Sequence, residues 1–170
     1  MALVKGVSHM SSNGMRSGTS GDIAYAGIAG GAGGLLGFAG VYLKWFSYSY
    51  SVGGGTLTQY LNGSEDWTGR VAFIAGLAAV AFGVAYVLFD DAQMRKITGA
   101  LMGVGAIFLL AMSLLGLSRV SEAVGSPFLV GVSPGETVSV ATDVAGGIVA
   151  SIVGGVIATV GAYLAVKPSR

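Results

Sequence analysis

The sequence predicts an all-α membrane protein: an antiparallel four-transmembrane-helix bundle with short β-hairpins in its two external loops. Three observations carry that expectation. Only 10% of the 170 residues are charged and 53% are hydrophobic, whereas a water-facing domain carries roughly a quarter charged residues. Four uncharged stretches, 23–43, 71–89, 97–117 and 144–166, match the roughly 20 apolar residues that a helix needs to cross the hydrocarbon core. The 30 glycines follow no collagen-like period, and apolar residues are too abundant for a disordered chain.

Residues 1–22 are polar and glycine-containing, with three methionines, of which Met10 and Met15 are plausible alternative starts, and no apolar run long enough for a signal peptide. They are expected to form a flexible cytoplasmic tail ahead of a four-helix domain, 23–170. Each span is bracketed by charge: Asp22 and Lys44, Arg70 and Asp90, Lys96 and Arg119, Asp143 and Lys167. A soluble bundle would need a polar face at helical spacing on each segment, and none has one. Four spans put both termini on one side. That side holds Lys5, Arg16, Arg95, Lys96, Lys167 and Arg170, against Lys44, Arg70 and Arg119 opposite. The bias toward cations inside makes the termini and the 90–96 turn cytoplasmic, in a plasma or inner membrane. In that turn the acids follow one helix and the bases precede the next, an order unfavourable to both helix dipoles, so the charges are read as headgroup anchors.

The external loops are 44–70 and 118–143. From Phe46 to Val52 aromatic or apolar residues alternate with serine. After Gly53-Gly54-Gly55 comes Thr56-Leu57-Thr58-Gln59-Tyr60-Leu61. This reads either as a hairpin or as the first helix continuing into an interfacial aromatic belt with Trp45, Phe46, Tyr48 and Tyr50. Asn62-Gly63-Ser64 is a sequon by pattern and a turn by chemistry. In the second loop, Phe128–Val132, Ser133-Pro134-Gly135-Glu136 and Thr137–Val140 give another hairpin signal. Four strands from both loops would share one sheet more stably than two isolated hairpins. Asp143 is expected to cap the fourth helix. Trp45, Tyr48, Tyr50 and Trp67 are the candidate external contact residues, with Trp67 either a belt residue or a partner anchor. The long aromatic loop and the Trp45, Trp67, Arg70 spacing resemble the claudin-type tetraspan layout. The Gly-Leu-Trp run and paired loop cysteines of that family are missing, so the resemblance implies topology and no adhesion site.

Within the spans, small residues recur at helical spacing. The first carries Gly27, Gly30, Gly31, Gly33, Gly34, Gly37 and Gly40, with glycine on more than one face. The fourth carries Gly146, Ala150, Gly154 and Ala158 on one line and Gly147, Ser151 and Gly155 beside it. Gly99 and Gly103 in the third span and Ala75, Ala79 and Gly83 in the second extend the device. Lipid supplies no hydrophobic drive between helices, so close backbone approach must hold them together. Three readings follow: packing within one bundle, docking of another chain on the surplus glycine face, or a permeation path lined by bare backbone. Leucine at Gly30 and Gly34 is expected to break association while leaving insertion intact.

Several function classes are disfavoured. A net charge of +1 and scattered cations offer nothing to nucleic acid. With no cysteine and one histidine, His9, thiolate and histidine sites for metals or cofactors have no ligands. The spans hold no mid-membrane ionisable group for a proton relay or voltage sensor. The adjacent pairs Glu65/Asp66 and Asp90/Asp91 do not face one another as catalytic carboxylates must. The expectation is therefore a non-enzymatic structural or accessory subunit, partnered with the lipid bilayer and with other membrane subunits or copies of itself. The alternative is a minor transporter or channel component for a small solute.

Overall fold

The computed structural model describes residues 20–52, 55–119 and 139–167. It is mostly helical, with a small three-stranded sheet. The elements are α1 (Ser20–Tyr42), β1 (Lys44–Val52), β2 (Gly55–Asn62), a single 3-10 turn (Gly63–Glu65), α2 (Trp67–Leu88), α3 (Ala92–Ser118), β3 (Ser139–Val144) and α4 (Gly146–Val166). All four α-helices are long and apolar enough to cross a membrane. Residues 1–19 of the expected tail lie outside the described residues.

The helix starts show what the charged edges do. α2 begins at Trp67, four residues before the uncharged stretch, because Asp66 caps it: its carboxylate accepts from the Thr68 backbone N–H at 3.3 Å and from the Thr68 hydroxyl. α3 begins at Ala92 because Asp91 accepts from the N–H groups of Gln93 and Met94 at 2.9 and 2.8 Å. The expected conflict between the 90–96 charges and the helix dipoles is thereby corrected. A carboxylate at a helix N-terminus is favourable, as is a cation at a C-terminus. Arg95 reaches back across the turn, its Nε donating to the Phe89 carbonyl at 2.6 Å and its guanidinium lying 3.5 Å from Asp90. Asp143, by contrast, does not cap α4. It sits in β3 opposite Ser47, and the N-cap of α4 is Ala145, without a side-chain bond.

The 44–70 loop folds as the antiparallel hairpin of β1 and β2, not as an extension of α1, with Val52 opposite Gly55 and Tyr48 opposite Gln59. Ser49 and Thr58 hydroxyls meet at 3.1 Å, and Ser51 and Thr56 at 3.3 Å. β3, from the second loop, pairs antiparallel with the other side of β1, giving the order β2-β1-β3. The two loops therefore share one sheet. The expected partner strand Phe128–Val132 and the Ser133–Glu136 turn lie outside the described residues. Alternation along β1 turns Phe46 and Tyr48 into the core and leaves Ser47 and Ser49 half-buried.

α1 packs against α2 and α4, and α3 packs against the same two helices. The size sorting is the reverse of a soluble protein's. The buried positions are dominated by glycine with Ala26, Ala72, Ala79, Ala106, Ala158 and Ser151, while Ile74, Val84, Ile107, Phe108, Val153 and Val160 point outward. Bulky apolar surface on every helix is what a lipid-facing wall requires; in water it would be an aggregation surface. Among the described residues the one large aromatic fully inside is Trp45. Its indole donates to the Gly40 carbonyl at 3.1 Å and fills the space above Gly63 and Gly116, joined in one cluster by Val41, Leu109 and Ile148. Truncating Trp45 to alanine is expected to cost about 3–5 kcal/mol, the range for emptying a large buried aromatic site. Equilibrium unfolding in mixed detergent micelles measures it; a loss below ~1 kcal/mol would contradict the wedge role.

Candidate helix-packing site

The residues singled out in α1 sort onto three neighbours. Toward α4, a Cβ built on Gly40 would lie 2.7 Å from the Gly147 carbonyl oxygen and 2.8 Å from the Ser151 nitrogen. Gly33 abuts Gly154 and Ala158, and a Cβ on Gly154 would lie 2.7 Å from the Gly37 Cα; one on Gly161 would lie 2.8 Å from the Gly30 Cα. Toward α2, a Cβ on Gly34 would meet the Gly76 carbonyl at 2.8 Å and the Val80 nitrogen at 2.9 Å. Gly27 meets the Gly83 carbonyl at 2.9 Å. Real Cβ atoms do not tolerate contacts under 3.0 Å, so these positions exclude any side chain. At each, backbone lies directly on backbone. Such seams gain dispersion and Cα–H···O contacts that a larger residue would prevent.

Across the ring, toward α3, the glycines do something different. Gly30 receives the Met102 side chain and Gly37 receives that of Leu109, both fully buried. At these two levels the space between α1 and α3 is filled by side chains. The permeation reading therefore finds no bare glycine lumen here: the glycines are sockets for α3.

The polar groups inside are few and partnered. Ser151 donates to the Gly37 carbonyl at 3.1 Å, a bond between helices. Ser113 and Thr159 donate to carbonyls one turn back in their own helices, at 2.8 Å each. No buried side-chain polar atom among the described residues lacks a partner, which a hydrocarbon surrounding demands. Gly155 lies against the backbone of α3, a Cβ there reaching the Leu110 Cα at 3.0 Å. Thus Gly147, Ser151 and Gly155 all serve the chain's own seams.

Gly31 stands apart. A Cβ there would find nothing within 4 Å. It forms part of the floor of an apolar groove of about 380 Å³ between α1 and α2, with Gly27 and Gly83 beneath and Ile28, Leu35 and Val84 on the walls. Of the five α1 glycines proposed for docking, only Gly31 has an open Cβ direction, although its backbone lies against Gly83. Leucine at Gly30 or Gly34 would then strike Met102 or the α2 backbone before any partner. Its first effect falls on the fold of the single chain, a correction to the expectation from sequence.

The loop candidates divide likewise. Trp45 and Tyr48 are buried in the chain's own core and are not presented to a partner, because β1 folds back over the helix ends. The side chain of Tyr50 lies outside the described residues. Trp67 is 50% exposed, with the Arg119 guanidinium 5.7 Å from its ring centre and 3.7 Å from Asp66. Sequence spacing did not single out Gly76, Gly105 and Gly161, which sit in the same kind of contact. Gly76 and Gly161 do have a small residue one turn away, Ala72 and Ala165, but spacing alone does not tell which small residues meet a neighbour; the facing helix does. Among the described residues no group of histidine, cysteine or carboxylate side chains is placed to hold a metal.

Alanine at Gly34 is expected to cost about 1–3 kcal/mol by overpacking. Alanine at Gly31 is expected to be neutral or to stabilise by up to about 1 kcal/mol through helix propensity. Unfolding of the two variants in one detergent system tests the seam; equal effects would contradict it. Compared with known proteins, the chain matches no protein-family model and shows no significant similarity to a curated protein.

Proposed function

We propose that this protein is a small structural or accessory subunit of a membrane complex. In this reading the four helices form an antiparallel transmembrane bundle in a plasma or inner membrane, with both termini and the 90–96 turn cytoplasmic and the sheet outside. The observation that carries it is the use of the glycines. They lock the helices to one another through backbone contact and leave a rigid block with a bulky apolar exterior. Nothing ionisable is placed at mid-membrane depth to move a charge, and Met102 and Leu109 occupy the space between α1 and α3. The Gly31 groove is the place where another subunit's helix would approach α1 and α2 most closely.

Purification from native membranes in mild detergent is expected to bring down the same partners, or copies of the chain, in fixed proportion. The purified protein reconstituted alone is expected to pass no solute above the empty-vesicle rate. Flux through the isolated protein would overturn the reading. Orientation is tested separately: the chain has no cysteine, so Gly54→Cys is expected to react with an impermeant maleimide only from the outer face. Labelling from the cytoplasmic face would invert the topology.

A further inference from the structure

We infer that the free edge of β2 pairs with β2 of a second copy of this chain, joining two three-stranded sheets into one of six strands. β2 is an outer strand of the sheet, and every residue from Gly55 to Tyr60 is exposed. In an antiparallel ladder alternate residues turn their N–H and C=O groups away from the neighbouring strand, so one side of β2 carries a row of backbone donors and acceptors without a strand partner among the described residues. Exposed edges are normally guarded by lysine, proline, a bulge or an inward charge. Gly55–Asn62 contains no charge and no proline, and the one irregularity of the hairpin register lies at its base, between Lys44 and Phe46. The nearest cation, Lys44, is held over the Tyr60 ring at 3.4 Å.

A second copy is the occupant that this strand's chemistry fits. Being uncharged, β2 meets itself without like-charge repulsion. Faces must match across a sheet, so residues of like parity must pair. The register with Thr58 opposite Thr58 then places Leu57 opposite Gln59 and Thr56 opposite Tyr60, engaging the whole exposed run. It repeats between copies the hydroxyl pairing already present at Ser49–Thr58. Confinement to one membrane raises the effective concentration of copies, so a short ladder suffices.

The inference rests on the assembly reading above, and the test separates the two. Thr58→Cys and Ser49→Cys are compared in native membranes under mild oxidation. The two positions face each other across β1 and β2. In the six-stranded sheet the two copies of residue 58 are neighbours, whereas the two copies of residue 49 are three strand spacings apart, about 14 Å, beyond the ~7 Å reach of a disulfide. T58C is expected to give a covalent dimer and S49C none. L57K/Q59K in the T58C background sets lysine opposite lysine and is expected to abolish the dimer band. A monomeric T58C, equal dimer from S49C, a dimer band indifferent to the lysines, or an adduct of T58C with a different protein would each overturn the inference. If T58C stays monomeric while the chain still co-purifies with fixed partners, strand pairing fails and the subunit reading stands.

Discussion

Hydrocarbon is as apolar as leucine, so burying a leucine between two membrane helices gains little over leaving it in lipid. What remains to hold four helices together is contact at the shortest range, where dispersion between atoms falls off within an ångström of gap. Glycine permits that range and larger residues do not. The Gly34–Gly76, Gly37–Gly154 and Gly30–Gly161 approaches are therefore the constraint on which the rest depends. They explain why the smallest residues are inside, why the largest are outside, and why Met102 and Leu109 enter sockets on α1. The cost is paid in helix propensity, roughly 1 kcal/mol per interior glycine relative to alanine in water.

The membrane ends obey ordinary aqueous chemistry. Asp66 and Asp91 satisfy free N–H groups at the starts of α2 and α3, and Arg95 returns to the carbonyl end of α2. On the sheet side, Trp45 closes the ring where the glycine seams end: its backbone carbonyl accepts from Ala145 at 2.8 Å while its indole reaches Gly40. One residue thus ties the start of β1 to both α1 and the entry to α4. The sheet is accordingly continuous with the helical core and not a separate appendage.

Much of this was legible in the residues. Charged edges placed the four helices within a few positions, and serine alternating with aromatics offered β1 as one of two readings, the other being a continuation of α1. What escaped was whatever depends on the partner across a gap. Glycine on several faces of α1 signals close contact without saying with whom, and only the facing helices assign Gly30 to α3 and Gly34 to α2. Trp45 beside Lys44 reads as a loop aromatic because the cavity it fills is made by Gly63 and Gly116, distant in sequence. Asp143 has the chemistry of a cap, but strand pairing to Ser47 holds it short of the helix start. Asp91 seemed ill-placed because its distance from the helix start was misjudged by five residues.

Seams of bare backbone make a definite spectroscopic claim, since glycine Cα atoms of different helices must be near neighbours. Solid-state NMR of the protein in lipid bilayers, with 13C placed only at glycine Cα, reads those distances directly. Besides the peaks between sequence neighbours, through-space cross-peaks are expected for Gly37–Gly154, Gly30–Gly161 and Gly31–Gly83 at short mixing times, and none between Gly146 and a glycine of another helix. Their absence in a folded sample would contradict it, and the helices would then have to be held by something other than backbone contact.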